Sequence, residues 1–263
     1  MSTVRPAATP GTGPAPRRHP LVIAHRGDSM VAPENTLPAF AAAVRGGADM
    51  IEIDLHCSAD GEGVVIHDAT VDRTTDASGA VADLDAAEIG RFDAGSWFDP
   101  AFAGVRIPLF GDILDLLVRS PGTELLLEFK DPWLAGPLGQ VLSDLKAAGL
   151  ADRVLVQSFF PDVLTTVRRA TPDVRPGFLS SRFDDEVVTL SRHLGAVACN
   201  PAFTRVLADP GLVTRAHRAG LQVMVWTANE VAQWERLVAA GVDGIITDRP
   251  DRLRRFLDYR DGP

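Results

Sequence analysis

Residues 50–68 read MIEIDLHCSADGEGVVIHD, and this stretch decides the fold of the chain. Two runs of strand-forming residues lie on either side of a turn sequence at 60–61, and both runs carry ionisable residues. The link 57–63 is too short for the crossover between parallel strands, which takes about a dozen residues or more. The second run is therefore predicted to return antiparallel to the first, which places His67 roughly opposite Asp54.

Apolar strand sequences alternate with amphipathic helix sequences along most of the chain, which is the pattern of a parallel sheet covered by helices. The predicted strands lie near residues 21–25, 50–56, 63–67, 124–129, 153–158, 175–179, 196–200, 221–226 and 244–247. A closed parallel barrel needs eight strands, and removing the hairpin strand from these nine leaves eight. The sequence thus predicts an α/β fold, a (β/α)₈ TIM barrel with a β-hairpin excursion after strand 2 and a short inserted segment.

Helices are predicted between the strands from the spacing of their apolar residues. Asn35 is predicted to cap the first, because an apolar face at the i, i+3, i+4, i+7 spacing begins at Leu37. The others are predicted at 113–119, 138–148, 162–169, 185–194, 211–219, 231–240 and 252–257.

Ionisable residues follow the apolar part of several predicted strands, always at the same end. They are His25, Arg26, Glu52, Asp54, His67, Glu128 and Lys130. Alternate side chains of a strand share a face, so Glu52 lies on the face of Asp54, and Glu128 on that of Lys130. Charged groups clustered at one end of the strands predict an active site at the mouth of the barrel.

An ordered set of motifs extends from about residue 20 to residue 256. It comprises His-Arg-Gly at 25–27, Ala-Pro-Glu-Asn-Thr at 32–36, Glu-x-Asp at 52–54, the run 60–75, Glu-x-Lys at 128–130, Gln-Ser-Phe at 157–159, Trp-Thr at 226–227 and Gly-Ile-Ile-Thr-Asp-Arg-Pro at 244–250. In this order the set resembles the glycerophosphodiester phosphodiesterase family. The resemblance implies metal-dependent hydrolysis of glycerophosphodiesters to glycerol 3-phosphate and an alcohol.

Glu52, Asp54 and Glu128 are the candidate metal ligands. Three carboxylates in one pocket repel each other unless a cation lies among them, and oxygen ligands suit Mg²⁺ or Ca²⁺ better than zinc. The alternative is that they form salt bridges at the strand ends. The resemblance assigns all three positions to one divalent cation.

His25 and His67 are the candidate acid–base pair, because histidine titrates near neutral pH without heavy tuning. A structural role is the alternative for each. Arg26 and Lys130 are expected to bind the phosphate oxygens of the substrate, although Arg26 could instead pair with Glu34 or Asp28. Only two of the 26 Lys and Arg residues are lysines, which suggests that position 130 requires the compact ammonium group of lysine.

Phe159 and Trp226 are expected to line the substrate site, with a core role as the alternative for each. His56 shares the face of Glu52 and is interpreted as part of the pocket rim. A lysophospholipase D or other phospholipase-type phosphodiesterase is the nearest alternative function, because the aromatic segment 92–110 could hold an acyl chain. A catalytically inactive binding barrel is a remote alternative. The sequence contains no His-x-His pair, no Gly-x-Ser-x-Gly elbow and no Walker loop, so these motifs give no support to another enzyme class.

The composition predicts one enzyme domain acting on a small molecule. A hydrophobic share of 46% supplies a core, and a net charge of −9 argues against nucleic acid or an anionic membrane as the partner. Residues 1–19 are expected to be a disordered tail, 20–257 the barrel domain and 70–109 a short insertion or lid. The two cysteines form no metal motif, and without an apolar leader or a spanning segment a cytoplasmic location is expected.

Overall fold

The computed structural model describes residues 19–260, and one nine-stranded sheet organises them. Its strands are β1 (Leu21–Ala24), β2 (Met50–Cys57), β3 (Gly63–Val65), β4 (Glu124–Phe129), β5 (Val154–Ser158), β6 (Arg175–Ser180), β7 (Ala198–Pro201), β8 (Gln222–Val225) and β9 (Gly244–Thr247). Eight strands run parallel in the order β1-β2-β4-β5-β6-β7-β8-β9, and β9 pairs with β1 to close the barrel. The predicted TIM barrel is confirmed.

The ninth strand, β3, lies outside the closed barrel and pairs antiparallel with β2. Leu55 is opposite Val65, and the Ile66 backbone N–H then donates to the Asp54 carbonyl oxygen at 3.1 Å. The predicted hairpin is therefore confirmed. His67 follows one residue after the position opposite Asp54, so the hairpin brings it to the mouth of the barrel.

Ten α-helices lie in the described part of the chain, most of them between successive strands. They are α1 (Leu37–Arg45), α2 (Ala86–Ile89), α3 (Phe110–Arg119), α4 (Ala135–Ala147), α5 (Pro161–Ala170), α6 (Asp185–His193), α7 (Phe203–Ala208), α8 (Gly211–Arg218), α9 (Val231–Ala240) and α10 (Pro250–Arg260). The short helices α2 and α7 were not predicted. The capping prediction for α1 was wrong: Thr36 is the N-cap residue, and Asn35, at φ 55°, directs its side chain to Asp54.

The barrel interior has an apolar lower layer and a polar upper layer. The lower layer contains Ile23, Met50, Leu126, Leu155, Ala198, Met224 and Ile246, all buried. Side chains two residues further along the same strands point to the same face, one layer closer to the mouth. Those positions hold His25, Glu52, Glu128, Gln157, Asn200, Trp226 and Asp248. The two-residue period of the strands therefore places polar side chains at the mouth of the barrel, directly above the apolar lower layer.

Residues 70–109 fold against the outside of β3 around a small core of their own. Val71, Val81, Ile89 and Ile107 are buried in that core together with Ile66 at the end of the hairpin. Two short 3₁₀ turns and α2 are the regular elements of the segment. This packing joins the segment to β3, the strand that precedes His67.

The predicted tail at 1–19 lies, apart from His19, outside the described residues. Within residues 19–260 no helix combines the length and the apolar character needed to cross a membrane.

Candidate active site

A cavity of about 190 Å³ opens at the C-terminal mouth of the barrel. Its lining residues are His25, Arg26, Glu52, Asp54, His67, Glu128, Lys130, Gln157, Phe159, Leu179, Trp226, Thr227 and Ile246. The nine predicted site residues are all among them, so the structure brings every one of them to a single cavity. Gln157, Leu179, Thr227 and Ile246 are additions.

Glu52, Asp54 and Glu128 form a buried carboxylate cluster at the base of the cavity. Each offers an oxygen that lies within 4.8 Å of those of the other two. Burial and the neighbouring charge of Asp54 raise the pKa of Glu52 well above its usual value and that of Glu128 to about 7. Burial also opposes ionisation of Asp54, but Arg26 and Lys130 outweigh it and hold the pKa of Asp54 at about 2. The cluster can hold one cation with oxygen ligands.

Two basic side chains partly neutralise the cluster. Lys130 Nζ lies 2.9 Å from Glu128 Oε1 and 3.4 Å from Asp54 Oδ1. Arg26 Nε lies 3.1 Å from Asp54 Oδ2, and Arg26 Nη1 donates to Glu34 Oε1 at 2.8 Å. The predicted alternative partner Glu34 is therefore present, while Arg26 also lines the cavity.

The backbone at Arg26 also donates a hydrogen bond to the carboxylate cluster. Arg26 adopts φ 57°, and its backbone N–H donates to Glu52 Oε2 at 2.9 Å. Gly27 follows at φ 85°, where a Cβ would lie 2.6 Å from the Ala39 carbonyl carbon. Only glycine permits this close approach of the loop to α1, which explains the Gly of the His-Arg-Gly motif.

His25 is oriented by a carboxylate on the neighbouring strand end. Its Nδ1 donates to Asp248 Oδ1 at 2.6 Å, and Asp248 Oδ2 accepts a hydrogen bond from Asn229 Nδ2 at 2.6 Å. Burial opposes ionisation of Asp248, but the contact with His25 and the hydrogen bonds from Asn229 and Ser29 together outweigh it and lower the Asp248 pKa. An ionised carboxylate only accepts, so the His25 proton is on Nδ1 and Nε2 is left for a ligand.

His67 has the same arrangement with a different supporting group. Its Nδ1 donates to Asp68 Oδ1 at 2.7 Å, and Asp68 accepts from the Arg73 guanidinium. Burial lowers the pKa of His67, and the cations Arg26 and Lys130 add to that effect against the pull of Asp54. His67 therefore favours the neutral form, with Nε2 able to accept a proton.

Buried amides hold the carboxylate cluster in place. Asn35 Nδ2 donates to Asp54 Oδ2 at 2.9 Å. Gln157 Nε2 donates to Glu128 Oε2 at 3.4 Å, and Asn200 Nδ2 donates to Gln157 Oε1 at 2.8 Å. Gln157, Asn200 and Asp248 were not predicted from the sequence as functional positions. Each follows an apolar interior residue by two positions, and that spacing could have identified them.

The interpretation of His56 as pocket rim was wrong. Its side chain is buried and does not line the cavity. His56 Nδ1 lies 2.5 Å from Asp131 Oδ2, and its Nε2 lies 3.0 Å from the His67 carbonyl oxygen. His56 thus joins the loop after β4 to the end of the hairpin.

Aromatic and aliphatic side chains form the other side of the cavity. Phe159 and Trp226 pack edge to face with ring centroids 6.0 Å apart, and Phe159 is 42% exposed. Trp226 Nε1 donates to the Asn200 carbonyl oxygen at 2.8 Å, and its ring also packs on the barrel interior. Leu179 and Ile246 complete this apolar wall.

Comparisons with known proteins identify the family of the chain. Residues 25–252 match the model of the Glycerophosphoryl diester phosphodiesterase family. A glycerophosphodiester phosphodiesterase of Caldanaerobacter subterraneus subsp. tengcongensis is 37% identical over 235 residues, covering 89% of this chain and 96% of the relative. One from Bacillus subtilis is 30% identical over 274 residues, covering 97% of this chain and 92% of the relative.

Solved structures give the same result. A phosphodiesterase of Oleispira antarctica, in complex with the product sn-glycerol-3-phosphate, superposes with a TM-score of 0.82 at 27% identity, covering 91% of this chain and 97% of that one. A glycerophosphodiester phosphodiesterase of Agrobacterium tumefaciens superposes with a TM-score of 0.78 at 29% identity, covering 89% and 98%. The chain therefore belongs to the glycerophosphoryl diester phosphodiesterase family and is an enzyme of that activity.

Proposed function

We propose that this cavity hydrolyses glycerophosphodiesters to glycerol 3-phosphate and an alcohol, with one divalent cation and a pair of histidines. The observation that carries the proposal is the composition of a single cavity: three clustered carboxylates together with two histidines, each oriented by an aspartate. The product complex of the Oleispira antarctica relative supports glycerol 3-phosphate as the product.

Glu52, Asp54 and Glu128 are the proposed ligands of the cation, Mg²⁺ or Ca²⁺. Their donors are all oxygen, and burial together with their mutual repulsion raises the pKa values of Glu52 and Glu128 although Arg26 and Lys130 lie beside them. A further cation would remove that repulsion, so the donor set fits a hard divalent ion. Such an ion, when bound, neutralises phosphate charge and polarises the attacking oxygen.

The two histidines are proposed to move the protons. One Nε2 takes the proton of the attacking oxygen, and the other Nε2 gives a proton to the alcohol oxygen as its bond to phosphorus breaks. Arg26 and Lys130 hold the non-bridging oxygens of the phosphate. This assignment serves equally for attack by water and for attack by a glycerol hydroxyl.

The size of the cavity supports a deacylated substrate over a lysophospholipid. Its volume of about 190 Å³ is below the roughly 300–1,000 Å³ of pockets for drug-sized ligands. Trp97, Phe98 and Phe102 of the inserted segment pack on one another at centroid distances of 5.7 and 5.6 Å. They are absent from the cavity lining among the described residues, so the cavity gives no support to the alternative in which this segment holds an acyl chain.

The proposal is tested first on the carboxylates. Glu52→Gln, Asp54→Asn and Glu128→Gln should each abolish most activity and weaken Mg²⁺ or Ca²⁺ binding measured by calorimetry. Added metal should restore activity only to the chelated wild-type enzyme. Full wild-type activity in excess chelator would contradict the metal assignment.

The histidines need a separate experiment. His25→Ala and His67→Ala should each lower kcat on the order of 10²-fold or more, while calorimetry shows metal still bound. The double variant should be barely worse than either single one, because groups acting as a unit are not additive. A substrate with a very acidic leaving group should rescue only the variant that lacks the general acid. Near-wild-type turnover by either single variant would remove that histidine from the mechanism.

A further inference from the structure

The guanidinium of Arg73 lies between the carboxylates of Asp68 and Glu34, and Arg73 does not line the cavity. Its Nε and Nη2 donate to the Asp68 carboxylate at 2.6 and 3.2 Å. Its Nη1 and Nη2 donate to the Glu34 carboxylate at 3.0 and 2.8 Å. One guanidinium therefore binds two carboxylates, each through two hydrogen bonds.

Each of these carboxylates holds a proposed functional side chain. Asp68 Oδ1 accepts the Nδ1–H of His67 at 2.7 Å. Glu34 Oε1 accepts Nη1–H of Arg26 at 2.8 Å. A continuous chain of hydrogen bonds thus runs from His67 through Asp68, Arg73 and Glu34 to Arg26.

The backbone around Arg73 is anchored on both sides. Val71, two residues earlier, is fully buried in the small core of the inserted segment, and its N–H donates to the Gly79 carbonyl oxygen at 3.0 Å. Thr75, two residues later, donates its hydroxyl to the Val71 carbonyl oxygen at 2.7 Å. The guanidinium therefore projects from a closed turn, which limits where its planar fork can lie.

We propose that Arg73 is a positioning residue: through Asp68 it holds the ring of His67, and through Glu34 it holds the guanidinium of Arg26. The inference rests on the proposed function, because it assigns Arg73 to the support of a proton-transfer group and a phosphate-binding group. It gives the inserted segment 70–109 a part in catalysis that does not require it to move as a lid.

The fork geometry explains why the residue is arginine. Two carboxylates are each met by two N–H groups of one plane, which a lysine ammonium cannot reproduce. Removing the side chain frees Asp68 and Glu34 to reorient, and misplacement of reacting groups by about 1 Å can cost on the order of 10²-fold.

Arg73→Ala is expected to lower kcat by roughly tenfold or more and to raise KM for glycerophosphocholine. Arg73→Lys should recover only part of either change. Arg215→Ala is the matched control: Arg215 also contacts two carboxylates, Asp185 and Asp209, with a side chain 41% exposed against 45% for Arg73. It should leave kcat and KM unchanged, and both alanine variants should melt within a few degrees of each other.

Double-mutant cycles then separate positioning from a general structural effect. In the His67→Ala background, Arg73→Ala should change the residual kcat less than twofold, and in the Arg26→Ala background it should no longer raise KM. Wild-type kcat and KM in Arg73→Ala, or undiminished losses in both backgrounds, would overturn the inference. If His67→Ala itself kept wild-type kcat, the proposed function would fail instead.

Discussion

Replacing Asp248 with asparagine should put the proton of His25 on the wrong nitrogen. Asp248 Oδ2 accepts from Asn229 Nδ2, so the carbonyl oxygen of an introduced amide would keep that position. The amide NH₂ would then face His25 Nδ1 in place of the oxygen that now lies 2.6 Å away. His25 Nδ1 would have to accept, which moves the ring proton to Nε2, the atom that serves the substrate.

The expected loss of kcat/KM differs between removing the hydrogen bond from His25 to Asp248 and also reversing it. A hydrogen bond to a charged group contributes about 1.5–3 kcal/mol, so Asp248→Ala, which only removes it, should lower kcat/KM by roughly 10- to 150-fold. Asp248→Asn also imposes the wrong tautomer, which costs up to about 10⁴-fold in an aspartate–histidine pair of known mechanism. The asparagine variant should therefore be less active than the alanine variant, although it is the closer isostere.

The assay is kcat/KM for glycerophosphocholine with saturating Mg²⁺ or Ca²⁺, together with the melting temperature. Asp243→Asn provides the control, because Asp243 forms a comparable pair with His217 at 2.8 Å and is 29% exposed against 26% for Asp248. The control should keep its catalytic constants. Wild-type kcat/KM in a folded Asp248→Asn variant would refute the reasoning, because His25 would then not depend on its carboxylate partner.

Two further predictions concern stability and substrate range. Burial, with help from the nearby Asp251, raises the pKa of Asp28 to about 6, so its ionisation destabilises the fold as the pH rises from about 4 to above 6. Asp28→Asn should raise the free energy of unfolding at pH 8 by roughly 1–2 kcal/mol, because solvent screens part of the effect, and change it little at pH 4, as denaturant titrations at both pH values would reveal. Glycerophosphocholine should be turned over at least roughly tenfold faster than lysophosphatidylcholine, because the cavity is small; equal rates would favour the lipid-directed alternative.

The strand period explains why the barrel and the site could be predicted from the sequence. Ile23, Met50 and Leu126 are interior residues, and His25, Glu52 and Glu128 follow each of them by two positions. A local pattern of this kind determines which side chains share a face and which end of the strand they occupy. The short 57–63 link likewise left an antiparallel return as the only feasible connection.

Contacts across long sequence separations could not be predicted in the same way. Asn35 has the residue type of a helix cap, yet its side chain binds Asp54, because the backbone at φ 55° turns it into the barrel. His56 shares the strand face of Asp54, but its side chain pairs with Asp131, 75 residues away, in a partly buried contact outside the cavity. Arg73 belongs to a segment without strands, and only the folded chain brings it to Glu34, 39 residues earlier.

The central claim, metal-dependent release of glycerol 3-phosphate, is tested most directly by ³¹P NMR of the wild-type reaction with glycerophosphocholine. A single phosphorus product, glycerol 3-phosphate, is expected, and its formation should stop in excess chelator and resume when Mg²⁺ or Ca²⁺ is restored. Formation of phosphocholine, or an unchanged rate in chelator, would contradict it.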